Sequence, residues 1–172
     1  MKYLLGGEQS KRLSFRKVKP SDFLDWLPFH QEPKSTQFWD GLPKDPEIAC
    51  KEQFKGIFHR YENNLGGMNA LIFKEKTSLV GICGLLIQEV DGAQELEIGY
   101  SILPKYWRLG FATEAAQKCK EIAFKNKWSS SLISIIHVNN IPSQRVALNN
   151  GMQLEKTTEY KGNPVHIFRC YG

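Results

Sequence analysis

Glu97-Ile98-Gly99-Tyr100-Ser101-Ile102-Leu103-Pro104-Lys105-Tyr106-Trp107-Arg108-Leu109-Gly110-Phe111-Ala112-Thr113-Glu114-Ala115 changes its period halfway along. Up to Leu103 the side chains alternate as in a strand, with Glu97, Gly99 and Ser101 on one face. From Gly110 onward Phe111, Ala115, Cys119, Ile122 and Ala123 recur at helical spacing, which predicts an amphipathic helix over residues 110–127. A helix N-terminus carries unpaired N–H groups and about half a positive charge, and it binds phosphate when the turn before it lets the backbone come close. Gly110 permits that approach, Ala112 keeps the next position small, and Arg108 adds a fixed charge. Pro104 has no N–H, which suits the end of a strand that stops pairing with its neighbour.

On the N-terminal side, Leu13 and Phe15 alternate with Ser14 and Arg16 as a short strand. Pro20-Ser21-Asp22 then starts a helix through Phe23, Leu24, Trp26 and Leu27, which Pro28 is expected to end. Asp45-Pro46-Glu47 supplies an N-cap and a proline at the first helical position for a second helix carrying Cys50, Phe54, Ile57, Phe58 and Tyr61. Residues 68–73, 79–87 and 95–103 read as an antiparallel meander with a hairpin turn at Asp91-Gly92. Beyond the long helix come a strand over 132–138 and a short helix over 141–150 capped by Asn140. Strands over 152–160 and 165–170 form a closing hairpin across Gly162-Asn163-Pro164. The order is that of an α/β (α+β) domain on a mostly antiparallel sheet, in which the crossover from Leu103 to Leu132 makes one parallel pair.

The length of 172 residues fits one domain, expected to span 1–172. No apolar run approaches the roughly 20 residues of a membrane helix, and the N-terminus is too briefly apolar for a signal peptide. A cytoplasmic protein without membrane partners is expected. Cys50, Cys83, Cys119 and Cys170 are scattered and read as reduced core thiols. His30, His59, His137 and His166 have no ligand spacing, so no metal is expected. The net charge of +5 is unevenly placed. Residues 103–128 hold six basic and two acidic groups, a balance of +4, whereas 88–100 hold Glu89, Asp91, Glu95 and Glu97 and no base. Such neighbours suit either a site that holds an anion beside a cation or two solvated faces, and they lack the broad basic surface of a nucleic-acid binder.

The pattern [Q/R]-x-x-G-x-[G/A] between a fourth strand and a long helix resembles the acyl-CoA signature of the GNAT acetyltransferases. Trp107 at its first position is similar to the Rim-type branch, which includes the acetyltransferases of ribosomal-protein N-termini. Asn140-Ile141-Pro142-Ser143-Gln144-Arg145-Val146 followed by Gly151-Met152 resembles that branch's second motif, N-x-x-S-x-R-V ending in G-F. The resemblance implies a central mixed sheet of about seven strands flanked by about four helices, and acetyl-CoA as cosubstrate. It implies that backbone amides of Arg108, Leu109, Gly110, Phe111, Ala112 and Thr113 hold the CoA diphosphate. Tyr100, Ser101 and Ile102 would pair with the pantetheine arm as a strand edge does, and Asn140 and Ser143 would face the cofactor. Asn140 reads equally as a plain N-cap for the Ser143 N–H.

The expected reaction is acetyl transfer to a primary amine, either a protein N-terminus or a small molecule, by direct attack on the thioester. An ammonium acceptor must first lose a proton, for which Glu97 is the chosen base and Glu95 the next candidate. A backbone N–H near Ser101 or Ile102 would serve the oxyanion. Many members place a tyrosine acid seven residues after the motif asparagine, where this chain has Ala147. Either Ser143 or Tyr100 supplies the hydroxyl, or the thiolate leaves unaided. Trp26, His30, Phe38, Trp39, Tyr160 and Asn163 are candidates to line the acceptor pocket, although aromatic residues between helices more often belong to the core. The chain is expected to act as a monomer or homodimer, and a non-catalytic acyl-CoA-binding or sensing domain is the alternative reading.

Overall fold

The computed structural model describes residues 1–172. Its strands are β1 (Leu13–Lys17), β2 (Gly66–Phe73), β3 (Ser78–Val90), β4 (Ala93–Ile102), β5 (Ser131–His137), β6 (Gln153–Tyr160) and β7 (Asn163–Tyr171). Its helices are α1 (Phe23–Gln31), α2 (Pro33–Thr36), α3 (Pro46–Glu62), α4 (Phe111–Lys125) and α5 (Ile141–Asn149), with 3₁₀ turns at Pro20–Asp22 and Pro104–Tyr106. The seven strands form one sheet in the order β1-β2-β3-β4-β5-β7-β6. Every neighbouring pair is antiparallel except β4 and β5, which run parallel across the α4 crossover. This is the mixed, mostly antiparallel sheet expected from the order of elements. No helix is long and apolar enough to cross a membrane.

The local signals act as their chemistry dictates. The Asp45 carboxylate accepts from the N–H groups of Glu47 and Ile48, and the Asp91-Gly92 turn places both residues at positive φ. Three details differ from the sequence expectations. Pro28 lies inside α1, because Trp26, Phe29 and His30 on either side of it are buried; that burial offsets the roughly 3 kcal/mol cost of an interior proline. A fifth helix, α2, is too short for any periodicity and is started by Pro33, with the Glu32 carboxylate accepting from Lys34 N–H. The last hairpin turns at Lys161-Gly162, both at positive φ, so Tyr160 faces Asn163 and Pro164 joins the strand.

The sheet is covered on both sides. Cys83 and Tyr100 are paired across β3 and β4 and so share a face; Cys83 Sγ lies 3.5 Å from Cys119 Sγ of α4, which puts α4 on that side. Gln88, Glu95 and Glu97 occupy the opposite face, which α3 reaches through Arg60. Leu13, Leu71, Ile82, Leu85, Ile98 and Leu132 are fully buried between the layers. Asn69, with no exposure, is the one large polar side chain among the fully buried ones. Its Oδ1 accepts from Leu5 N–H and its Nδ2 donates to Cys83 C=O, both at 3.0 Å, which ties the N-terminal segment to the sheet. Asn69→Ala should strand both backbone groups and cost about 2–4 kcal/mol, read as a lower denaturant midpoint.

Candidate active site

The site begins where the sheet comes apart. The parallel register of β4 with β5 consists of the single pair Glu97 and Ile133, although β4 runs on to Ile102 and β5 to His137. Leu103 N–H donates to Val80 C=O at 2.9 Å, and successive residues of an antiparallel ladder present their backbone groups to alternate edges. Gly99 and Ser101 therefore direct N–H and C=O at β3, whereas Ile98, Tyr100 and Ile102 direct theirs at β5. Ile98 C=O accepts from Ser134 Oγ at 2.9 Å, which locks the strands just past their last pair. Ile102 C=O accepts from the Trp107 indole N–H at 2.7 Å. The amides of Tyr100 and Ile102 are left facing the opening. Ser101 offers the opening no backbone amide, so of the two oxyanion donors expected near it, Ile102 faces the opening and Ser101 does not.

The mouth of the opening meets the N-terminus of α4. Gly110 is the N-cap at φ 80° and ψ 7°, a left-handed conformation that glycine adopts without strain, and no side chain caps the helix. The first bond into the helix runs from Glu114 N–H to Gly110 C=O, so the amides of Phe111, Ala112 and Thr113 have no partner within it. Arg108 also has positive φ, at 62°, and residues 107–110 are exposed. Phe111 differs, because its side chain is buried while its backbone begins the helix.

Arg12 was not legible as a site residue. It lies almost a hundred residues away in sequence, yet its Nη1 donates to Leu109 C=O at 2.8 Å and its guanidinium stacks 4.3 Å from the Phe111 ring centroid. Its Nε and backbone N–H both donate to Glu114 at 2.7 Å, and Ser10 Oγ donates at 2.6 Å. Burial pushes the Glu114 carboxyl up, but these donors outweigh it and hold the group below its ordinary value. The only acidic side chain in the first turn is thereby neutralised, leaving the helix end electropositive.

Glu97 stands at the apex of the opening, half-buried. Burial raises its carboxyl above the ordinary value, against hydrogen bonds from Gln88 and the Ile135 N–H and the charges of Arg60 and Lys161. A carboxylate moved toward neutrality is a better proton acceptor near physiological pH. Gly99 is next on the same face, and a Cβ there would lie 2.9 Å from Leu86 Cδ1 and from Met68 Cε, the ends of two flexible side chains that would have to shift. Glu95 is engaged elsewhere. Arg169 grips both its oxygens at 2.9 and 2.7 Å, and also binds Glu155 and Ser131, so Glu95 ties β4 to β7.

Across the sheet the structure brings Tyr100 and Ser143 together. Tyr100 OH donates to Ser143 C=O at 2.8 Å, and Ser143 Oγ donates to Tyr100 OH at 3.1 Å. Burial pushes the Tyr100 phenol up, so it stays protonated. Asn140 Oδ1 accepts from Ser143 N–H at 3.2 Å, the N-cap reading. Ala147 is buried one turn after Ser143 on the same side of α5. The hydroxyl lacking at 147 is thus matched by one that arrives from β4.

The acceptor-side candidates divide. Phe38 stacks on His137 at 4.9 Å between centroids, which carries the segment after α2 across to the free end of β5. Trp26 Nε1 donates to Gln53 Oε1 at 2.6 Å, and His30 Nε2 lies 2.7 Å from the same oxygen, so these two are packed between α1 and α3. Trp39 is half-exposed beside Phe29 and His30. Tyr160 belongs to the Glu97 surroundings, and Asn163 Nδ2 donates to Lys161 C=O in the last turn. All four cysteines are free and buried, with the Cys50 thiol pushed up to about 11 by burial; none is placed as a nucleophile. No three His, Cys, Asp or Glu side chains gather in a metal-holding group.

Residues 12–153 match the family model described as an acetyltransferase (GNAT) domain. Among curated proteins, the uncharacterized protein YkkB of Bacillus subtilis is 29% identical over 104 residues, 59% of this chain and 60% of that protein. That match spans less than two thirds of YkkB. An uncharacterized N-acetyltransferase of the same organism, YnaD, is 26% identical over 85% of this chain and 82% of its own. Among solved structures, an acetyltransferase of Agrobacterium tumefaciens superposes with a TM-score of 0.81 at 18% identity, covering 100% and 98% of the two chains. RimL, a ribosomal L7/L12 alpha-N-protein acetyltransferase in complex with CoA, superposes at 0.74 and 16% identity over 98% and 97%. With a family match that covers most of its length, and a sheet that opens between β4 and β5 beside an uncapped helix, this chain belongs to the GNAT acetyltransferase domain family.

Proposed function

We propose that the chain is a single-domain N-acetyltransferase of the Rim type that moves an acetyl group from acetyl-CoA directly to a primary amine. The observation that carries the reading is the opening between β4 and β5, with the amides of Tyr100 and Ile102 turned into it and the α4 amides at its mouth. The residues present fit the cosubstrate: Arg108 and the amides of Leu109, Gly110, Phe111, Ala112 and Thr113 would hold its diphosphate, with Arg12 beside them. The free strand edge would pair with the amide-bearing arm, and Asn140 and Ser143 would line its other side. The CoA in the RimL structure supports CoA as the cosubstrate.

Glu97, on the α3 face, takes one proton from the ammonium and passes it to solvent, the amine nitrogen forms its bond to the thioester carbonyl carbon, and the second proton leaves nitrogen for the same carboxylate as the intermediate collapses. Negative charge that develops on the carbonyl oxygen is met by the Tyr100 or Ile102 amide. The carbon–sulfur bond then breaks, and the thiolate leaves on the α4–α5 face, where the Tyr100 and Ser143 hydroxyls can deliver a proton. Base and acid thus approach from opposite faces of the sheet, with the opening between them. The acceptor is a peptide N-terminus or a small amine, admitted past Phe38 and Tyr160.

Thiol release from acetyl-CoA, followed across a panel of peptide N-termini and small amines, tests this reading. Amine-dependent release with an acetylated product is expected. Tight acetyl-CoA binding without release toward any amine would instead favour a sensing domain. Tyr100→Phe keeps the ring and removes the hydroxyl; because a thiolate leaves fairly well unaided, kcat should fall only about tenfold, with the KM for acetyl-CoA little changed.

A further inference from the structure

We propose that Gln88 is a positioning residue for Glu97, its amide fixed by Arg60 and Tyr160 so that its N–H is committed to the carboxylate. The inference rests on Glu97 being the base proposed above. Gln88 Nε2 donates to Glu97 Oε2 at 2.7 Å. Its Oε1 accepts from Tyr160 OH at 2.9 Å and from Arg60 Nη2 at 3.1 Å. A guanidinium has donors and no acceptor, so the atom beside Arg60 must be the amide oxygen and the one beside Glu97 the NH₂. Arg60 is itself held, since its Nη1 donates to the C=O groups of Leu65 and Ile87, both at 3.1 Å.

The chain of contacts crosses four elements: Arg60 from α3, Gln88 from β3, Glu97 from β4 and Tyr160 from β6. The Ile135 backbone of β5 also favours the ionised carboxylate. Gln88 thereby holds Oε2 of Glu97 and leaves Oε1 for the incoming amine. Neutralising Glu97 removes the charge that makes the Gln88 contact strong, so the same chain that orients the base also helps to set where it titrates. The other groups around it are the Arg60 and Lys161 charges and the Tyr160 phenol, while Glu95 on the same face is occupied by Arg169.

Glutamate side chains labelled with ¹³C, with Glu97→Gln identifying the Glu97 resonance, allow its titration to be followed without turnover. In Gln88→Leu, loss of the donor to the ionised form should move the Glu97 midpoint upward by about one pH unit. Tyr160→Phe, which leaves Arg60 in place, should move it the same way by less. With an accepted amine, the acidic limb of kcat/KM should move upward alongside the resonance, and kcat should fall more than the KM for acetyl-CoA changes. A Glu97 midpoint unchanged in both variants, each folded by circular dichroism, would overturn the proposal even if the protein turns over. A shifted midpoint in a protein that acetylates no amine would uphold the positioning and sink the base assignment instead.

Discussion

Glu97→Gln is expected to lower amine acetylation by about 10²–10⁴-fold while leaving acetyl-CoA affinity almost unchanged. The substitution preserves shape, and the new amide oxygen can still accept from Gln88 Nε2, so what is lost is the ability to take a proton. The pH dependence supplies the sign. Glu97 titrates above its ordinary value because burial disfavours its charge, and only the ionised form is a base. Wild-type activity should therefore fall as pH drops through that raised midpoint, and Glu97→Gln should lack this limb. Initial rates across pH at saturating acetyl-CoA measure both effects. A variant as active as the wild type would remove Glu97 from the chemistry and leave it a polar residue of the sheet.

The second large effect concerns the cosubstrate. Gly110→Val places a β-branched residue at φ 80°, where an L side chain costs roughly 1–2 kcal/mol, and sets its Cβ 3.4 Å from Arg12 Nη2. The exposed loop should relieve the strain by leaving the left-handed conformation, which swings the first α4 amides away from an incoming diphosphate. Calorimetric affinity for CoA should fall ten- to a hundredfold, about 1.4–2.8 kcal/mol. Acetyl-pantetheine, which has no diphosphate, should be used as well by the variant as by the wild type. Equal losses with both compounds would show that the loop does not read the phosphates.

Much of this was legible in the sequence because the signals were local. The switch of period at Leu103, the Asp45 and Asn140 caps and the Asp91-Gly92 turn each depend on residues within a few positions, and the order of elements followed from them. Pro28 misled because propensity is local whereas the burial of Trp26, Phe29 and His30 that overrides it is tertiary. In the site, the strand alternation that put Glu97 and Ser101 on one face could not say which backbone groups faced the opening; that depended on the Leu103–Val80 bond. Arg12 and Arg60 carried no motif, since their partners lie dozens of residues away, and Gln88, although only nine residues from Glu97, takes its orientation from Arg60 and Tyr160, 28 and 72 residues off, which meet it only in the folded sheet. The pairing of Tyr100 with Ser143 belongs to the same class: two hydroxyl residues, one on a strand and one on a helix, joined only by the closing of the sheet against α5.

Direct transfer is tested most plainly by a single turnover with acetyl-CoA labelled in its acetyl group, with and without an accepted amine. The buried cysteines offer no nucleophile, so no label should be covalently attached to the protein at any time. The label should pass to the amine only when the amine is present, and in Glu97→Gln it should stay on bound acetyl-CoA. Label appearing on a protein side chain before the amine is added, or passing to the amine as fast without Glu97, would contradict direct attack assisted by this base.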